Sequence, residues 1–509
     1  MTGTYALLTK TPESLGIPSA AILKYLKTLD AAGVNMHGFL LARHGSIAAE
    51  GYYAPFYQGQ LHRMYSTSKS FASFAIGLLV DDGKVRLTDK IASYFPDKLP
   101  KTPLHPYIET MTVRDLLMMS TCFAGTTYNR VNVDYEDPTD WVATFFACPP
   151  DRYPGQTFVY DTSASTVLGA LAERLTGMTV PDFLRARGFE QLGFSREATA
   201  MKTESGEFSW MGSGLLCSLR DLALFAQVCL GQGELNGRRI ISREYIAAAT
   251  SKQIDNSLSG REYGYGYQFW MSRAGFNCSG LGGQMAYCLP GKDAFLATIA
   301  DTQGQSWAGA VMEDALHSCI VSEMAENPLP ENPQDQKALA DFIAGLHVKP
   351  LPNAFVPQTA QAVSGRTYHM NANDPQAAGA LCWRRMKVDF TAAGGALTYV
   401  DDEGEKTLAF GYNAFQAQNF PGFAPPEQTQ GKPMLVYGFH SKPALTLPCM
   451  TSAAWVGEKT LNLLCYATGA FLGTLKMQLV FDRDHVTVHS VKFSEKFWED
   501  LQGFQSGQL

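Results

Sequence analysis

At 509 residues and 46% hydrophobic content, the chain is long for one core and implies about two or three domains. A net charge of -7 with interspersed signs leaves no basic patch, which argues against nucleic acid as a partner. The segment from Met1 to Tyr5 lacks a basic start, and no stretch nears the roughly twenty apolar residues of a membrane span. The expectation is therefore a cytoplasmic protein with no membrane contact.

The ten cysteines form no Cys-x-x-Cys pair, and Cys217, Cys229 and Cys465 sit inside apolar runs. Reduced core thiols fit this better than disulfides or zinc.

In chain order, Gly38 to Arg43 and Ile47 to Tyr53 read as two strands joined by a tight turn at His44-Gly45-Ser46. Phe71, Phe74, Ala75, Leu78 and Leu79 recur at helical spacing, so an amphipathic helix begins near Ser66 and ends at Asp82-Gly83. Thr112 to Met119, Ser163 to Leu175 and Leu219 to Leu230 are helical by the same criterion, and Phe158 to Tyr160 reads as strand. Gly282-Gly283 opens an extended segment from Gln284 to Leu289. Pro290-Gly291-Lys292 turns it into a strand from Ala294 to Ala300, and a helix from Trp307 to Met324 follows. Strands at both ends with helices between describe an α+β domain over residues 1–326, whose antiparallel sheet the N-terminal hairpin completes.

Residues 327–354 carry two proline-rich stretches around one short helix, the texture of a linker. From 355 to 509 the chain changes to short β-type runs: Met386 to Phe390, Ala396 to Val400, Thr407 to Tyr412, Met434 to Phe439, Leu461 to Tyr466, Leu475 to Phe481 and Val486 to Val491. Asp482-Arg483-Asp484 is a hairpin turn between the last two. Such a series suggests a closed β-barrel or a sandwich.

Ser66-Thr67-Ser68-Lys69 is the Ser-x-x-Lys pair of the chain. Residues three apart share a helix face, so the Lys69 amine can reach the Ser66 hydroxyl as base to nucleophile. A lysine acts so only where burial or a neighbouring cation disfavours its charged form. Alone, the pair favours the plainer reading of an ordinary capped core helix with a surface lysine. Downstream, Pro154-Gly155 precedes Phe158-Val159-Tyr160-Asp161-Thr162 and a helix follows, so Tyr160 sits like the tyrosine of a Tyr-x-Asn element. A buried aromatic whose hydroxyl caps a loop is the plain alternative.

Taken with Thr112-Val113-Arg114-Asp115-Leu116-Leu117, Gly214-Leu215-Leu216-Cys217-Ser218 and Tyr265-Gly266-Tyr267-Gln268-Phe269-Trp270, these segments resemble the class C β-lactamase-like serine hydrolases over roughly residues 10–325. That group belongs to the superfamily of serine β-lactamases and penicillin-binding proteins and includes esterases, D-amino-acid peptidases, amide hydrolases and β-lactamases. The resemblance implies an antiparallel sheet flanked by helices, with an all-helical subdomain, and the β-rich tail resembles the lipocalin-like appendages of some members. It implies Ser66 as nucleophile, Lys69 as base and Tyr160 as proton shuttle. The amides of Ser66 and Gln284 would form an oxyanion hole.

Two positions depart from the family pattern. Thr162 stands where Asn is frequent, and a hydroxyl offers fewer bonds than an amide. Leu281 occupies the cationic position of the Lys/His-x-Gly element, expected on an edge strand, while Gly282 and Gly283 remain and still admit close backbone approach to a substrate. Loss of that charge favours a neutral ester or amide over a substrate bearing a carboxylate. Tyr263, Tyr265, Tyr267 and Trp270 either line an apolar pocket or pack as core.

The expected function is a serine hydrolase acting on a small-molecule ester, amide or peptide through an acyl-enzyme. A β-lactamase or D-amino-acid peptidase is the first alternative, and a non-catalytic binding or regulatory protein on this scaffold is the second. No Gly-x-Ser-x-Gly elbow, phosphate loop or metal-ligand spacing among His37, His44, His62, His105 and His317 is present, so no cofactor or metal is expected. His62, four residues before Ser66, is a candidate for the site mouth. The β-rich domain has three open roles: covering the site, narrowing substrate choice, or mediating a dimer or other homo-oligomer.

Overall fold

The computed structural model describes residues 5–129, 139–260, 262–373, 381–422, 446–495 and 497–509. The chain forms two units, one running to His347 and the other starting at Val348. Helix Pro333–Ala344, read from the sequence as the short helix of a linker, packs on helix Ser19–Ala32 within the first unit. Among the described residues no helix is long and apolar enough to cross a membrane.

The first unit is built on a seven-stranded sheet in the order Leu8–Thr9, Ser46–Tyr52, Met36–Arg43, Ala294–Ala300, Gln284–Leu289, Gly275–Gly280, Trp270–Ser272. All its ladders are antiparallel except the first. The N-terminal hairpin turns at His44 and Gly45, both with positive φ, and joins the late strands by pairing Leu41 with Leu296. Met36–Arg43 and Ala294–Ala300 are buried at every position, as strands covered on both faces must be, and helix Leu219–Leu230 packs on the latter.

Helix Ser68–Asp81 runs through the core rather than along its surface. The spacing of its large apolar residues suggests an amphipathic helix, yet every residue from Ser68 to Leu79 is buried. Small residues on the opposite face account for this: Ser70, Ser73 and Gly77 let neighbours approach closely. A Cβ on Gly77 would lie 2.4 Å from the Tyr245 ring. On the bulky side Phe71 stacks on Phe225 at 3.9 Å and Phe74 meets Phe189 edge-on at 5.4 Å. Helix Thr162–Thr176 lies alongside.

Two expected elements differ. Phe158 to Tyr160 is irregular, fixed by a bond from Val159 N to the Met119 carbonyl (2.8 Å) rather than by a ladder. The helix expected from Trp307 to Met324 is α-helical over Ala308–Ala315, then forms a π turn at Leu316–Ile320 and a 3-10 turn at Val321–Glu323.

The second unit contains a ten-stranded sheet, of which nine strands close into a barrel when Gly404–Tyr412 pairs with Pro448–Trp455. Gln416–Asn419 adds to Pro448–Trp455 outside that ring. The interior holds Trp383 stacked on Tyr399 at 4.5 Å, and Trp455, whose Nε1 donates to the Tyr412 hydroxyl at 2.9 Å. Thr367–Met370, Gln416–Asn419, Pro448–Trp455 and Gly503–Gln508 are strands beyond those expected; Thr367–Met370 alternates but is only four residues long, and the other three carry no alternating apolar signal. In Gly503–Gln508 the inward positions are Gln505 and Gly507, and the Gln505 amide is satisfied by Asn371 and Trp383 backbone groups. The expected strand from Met434 to Phe439 lies outside the described residues.

All ten cysteines are free thiols, nine of them buried and Cys382 partly so.

Candidate active site

Ser66 lies in a 3-10 turn, Tyr65–Thr67, that feeds directly into helix Ser68–Asp81. Neither Ser66 nor Thr67 caps that helix with its side chain. The Thr67 hydroxyl instead donates to the Gln284 carbonyl at 2.7 Å, and the Ser68 hydroxyl to the Tyr65 carbonyl at 2.5 Å. The first bond ties the turn to the start of strand Gln284–Leu289. Tyr65 is held at φ 47, a left-handed conformation costly for a bulky residue.

One helical turn on, Lys69 is 1% exposed. Its Nζ donates to Ser66 Oγ at 3.2 Å, and also to the Gly212 carbonyl. It lies 5.0 Å from the centre of the Tyr160 ring. The loop that carries Tyr160 reaches this place because Asp161 caps helix Thr162–Thr176, accepting from Ser163 N at 2.9 Å, from Ala164 N at 3.3 Å and from the Thr121 hydroxyl at 2.9 Å. Burial pushes the Asp161 carboxyl above its ordinary range, opposed by those hydrogen bonds. Trp270 stacks on Tyr160 at 5.5 Å and is backed by Tyr265 at 4.8 Å.

Thr162 opens that helix, and its backbone N–H donates to the Thr126 hydroxyl at 3.1 Å. The Gly212 backbone packs against it: a Cβ on Gly212 would lie 2.6 Å from both Thr162 Cγ2 and the Thr162 carbonyl oxygen. Leu281, Gly282 and Gly283 form the tip of the hairpin between Gly275–Gly280 and Gln284–Leu289. Gln284–Leu289 is internal to the sheet, whereas Gly275–Gly280 pairs with the short edge strand Trp270–Ser272 only as far as Asn277, so among the described residues its Cys278–Gly280 end beside the tip is ladder-paired on one side only. Gly282 and Gly283 have φ of 78° and 93°, which the tight tip requires. Leu281 is 43% exposed. The Gln284 side chain is buried and donates to the Leu281 and Ala300 carbonyls at 3.0 and 2.7 Å, pinning the tip. Gly280 is the contact with the Ser66 turn: a Cβ there would lie 2.2 Å from the Met64 carbonyl oxygen.

Ser66, Lys69 and Tyr160 thus come together, with the Leu281–Gly283 tip tied beside them through Thr67 and Gln284. Of the aromatic group, Trp270 stacks on Tyr160. Tyr265 and Tyr267 are core, and Tyr263 is exposed. His62 does not line a mouth. It is fully buried, its Nε2 3.3 Å from His37 Nδ1, and Phe56 stacks on His37 at 3.6 Å. Gly212 escapes sequence reasoning, although the small-residue run Gly212-Ser213-Gly214 directly before the strand Leu215–Cys217 is a signal for close backbone approach. Among the described residues no three His, Cys, Asp or Glu are grouped to hold a metal ion.

A family model described as Beta-lactamase matches residues 8–318. The chain is 26% identical over 304 residues to the 6-aminohexanoate-dimer hydrolase of Paenarthrobacter ureafaciens, an alignment spanning 53% of this chain and 74% of that one. A solved Bacillus anthracis structure, provisionally assigned as a 6-aminohexanoate-dimer hydrolase, matches at TM-score 0.50 and 19% identity over 65% of this chain and 89% of its own. The octameric penicillin-binding protein homologue of Pyrococcus abyssi matches at TM-score 0.46 and 16% identity, covering 96% of this chain and 99% of its own. With a family model matched across more than half of its length, this chain belongs to the Beta-lactamase family.

Proposed function

We propose that this member of a hydrolase family cleaves a small ester or amide through an acyl-enzyme on Ser66, and that its substrate need not carry a carboxylate. Lys69 takes the proton as Ser66 Oγ attacks the carbonyl carbon. The tetrahedral intermediate collapses as Tyr160 protonates the departing alcohol or amine, and water then releases the acid. The observation that carries this reading is the 3.2 Å contact between the Lys69 amine and Ser66 Oγ, with the amine sealed from solvent and facing Tyr160. Burial is the condition under which a lysine serves as base near neutral pH.

The backbones of Ser66 and Gln284, brought side by side by the Thr67 bond, are the donors assigned to the oxyanion, a contribution worth about 3 kcal/mol per donor. Leu281 at the hairpin tip offers no cation to a substrate carboxylate, which supports a neutral ester or amide. The relative from Paenarthrobacter ureafaciens is named for hydrolysis of 6-aminohexanoate dimer, which makes that linear amide a natural member of the test panel.

The test is turnover of p-nitrophenyl esters, 6-aminohexanoate dimer, D-amino-acid peptides and nitrocefin by the wild type and Ser66→Ala. Hydrolysis of the neutral esters or the linear amide, lost in Ser66→Ala, is expected. Activity confined to nitrocefin or D-peptides would replace the reading with a β-lactamase or peptidase.

A further inference from the structure

Directly ahead of the Ser66 turn, strand His62–Arg63 pairs with Leu215–Cys217. Arg63 is 1% exposed, an unusual burial for a guanidinium. Its guanidinium lies 4.2 Å over the Tyr65 ring and 4.8 Å over the Trp210 ring. Nε donates to the Ser213 carbonyl at 3.0 Å and Nη2 to the Ser213 hydroxyl at 2.9 Å. Ser213 follows Gly212, whose carbonyl accepts from Lys69. Arg63 and Lys69 therefore hold the carbonyls of successive residues in one tight turn. Trp210 closes that turn, its carbonyl accepting from Ser213 N at 3.1 Å and Gly214 N at 2.6 Å.

We propose that Arg63 is a positioning residue for the Ser66–Lys69 pair, fixing through Ser213 the turn whose Gly212 carbonyl holds the Lys69 amine, and through its ring contact the strained tyrosine that precedes Ser66, with its permanent charge on the carbonyl one residue along from the Lys69 contact. The proposal rests on the reading of Ser66 and Lys69 as nucleophile and base. One side chain reaches both halves of the pair. Through Ser213 it sets the Gly212 carbonyl, and through Tyr65, held at φ 47, it sets the turn that aims Ser66. A guanidinium stays charged at any pH the fold survives, and a second cation in the same buried region is disfavoured. Lys69 meets the Ser66 hydroxyl, the Tyr160 ring from the 158–161 loop and the Gly212 carbonyl, and Arg63 holds the carbonyl of the next residue, Ser213. The Asp161 carboxylate next to Tyr160 is taken by Ser163 and Thr121.

The sign of the effect is fixed. Without the Arg63 charge Lys69 holds its proton more tightly, so a higher pH is needed to free the base. The experiment is kcat and KM for p-nitrophenyl butyrate across the acid limb, in the wild type, Arg63→Met, Arg63→Lys and Ser213→Ala, each first checked for native circular dichroism. Arg63→Met should lower kcat about 10²-fold, the cost of a misplaced catalytic group, with KM little changed. Its acid limb should move up by roughly one pH unit. Arg63→Lys should keep the limb in place and recover part of kcat. Ser213→Ala, which retains the charge, should lower kcat several-fold without moving the limb.

A folded Arg63→Met with wild-type kcat and an unmoved limb overturns the proposal, as does a lower kcat with an unmoved limb, which marks a purely structural role. If Arg63→Met does not fold, wild-type kcat in both Arg63→Lys and Ser213→Ala overturns it. Turnover that survives Ser66→Ala strikes instead at the underlying reading, and the proposal falls with it.

Discussion

Lys69 reaches both Ser66 and the Gly212 carbonyl because a glycine stands at 212. Any side chain there would run into Thr162, whose carbonyl is backbone and cannot swing aside. Gly212→Ala is therefore expected to move the carbonyl away from Lys69 and to cut kcat about 10²-fold at a modest loss of stability, measured as ester turnover beside the melting temperature. Leu281 makes a different claim, about selectivity. Leu281→Lys should raise kcat/KM for a substrate with a free carboxylate about tenfold relative to a neutral ester of similar size. Equal effects on both substrates would show that the tip does not meet the acyl substituent.

At the scale of elements, the loop carrying Tyr160 depends on its neighbour. Asp161 caps helix Thr162–Thr176 and bonds Thr121, so Asp161→Ala should cost about 1–2 kcal/mol in chemical denaturation. Asp161→Asn should cost less, because an amide keeps cap acceptance and avoids burying a carboxylate already pushed up by desolvation. Much of this scaffold is legible in the sequence. Helix Leu219–Leu230 and strands Gln284–Leu289 and Ala294–Ala300 have the bounds that their apolar runs imply, because burial dictates each of them. The pair Ser66 and Lys69 is legible for a second reason, the fixed geometry of residues three apart on a helix. What is hidden is held by long-range contacts. Phe158 to Tyr160 has the composition of a strand, but nothing in composition states that no partner strand will arrive. Gly503–Gln508 faces the barrel interior with Gln505 and Gly507, so its alternation carries no hydrophobic signal. The burial of His62 likewise depends on His37, 25 residues earlier.

At the scale of the molecule, each unit has its own apolar core, one around the central helix and one inside the barrel. The first unit also buries the His37–His62 pair, which gives it an acid weakness. Burial lowers both imidazoles, His62 from 6.5 to about 4 and His37 well below its ordinary value. The unfolded chain accepts protons that the folded one refuses. Stability is therefore complete above about pH 6.5 and falls as the pH drops toward about 4. Denaturation followed between these limits should show that loss, and His62→Gln should reduce its slope; an unchanged slope would place the acid sensitivity elsewhere.

The most direct measurement is mass spectrometry of the intact chain and its peptides after reaction with a fluorophosphonate. One adduct per chain, on the peptide bearing Ser66 and absent in Ser66→Ala, is expected. An unlabelled Ser66 in a protein that still hydrolyses esters would contradict the nucleophile assigned here.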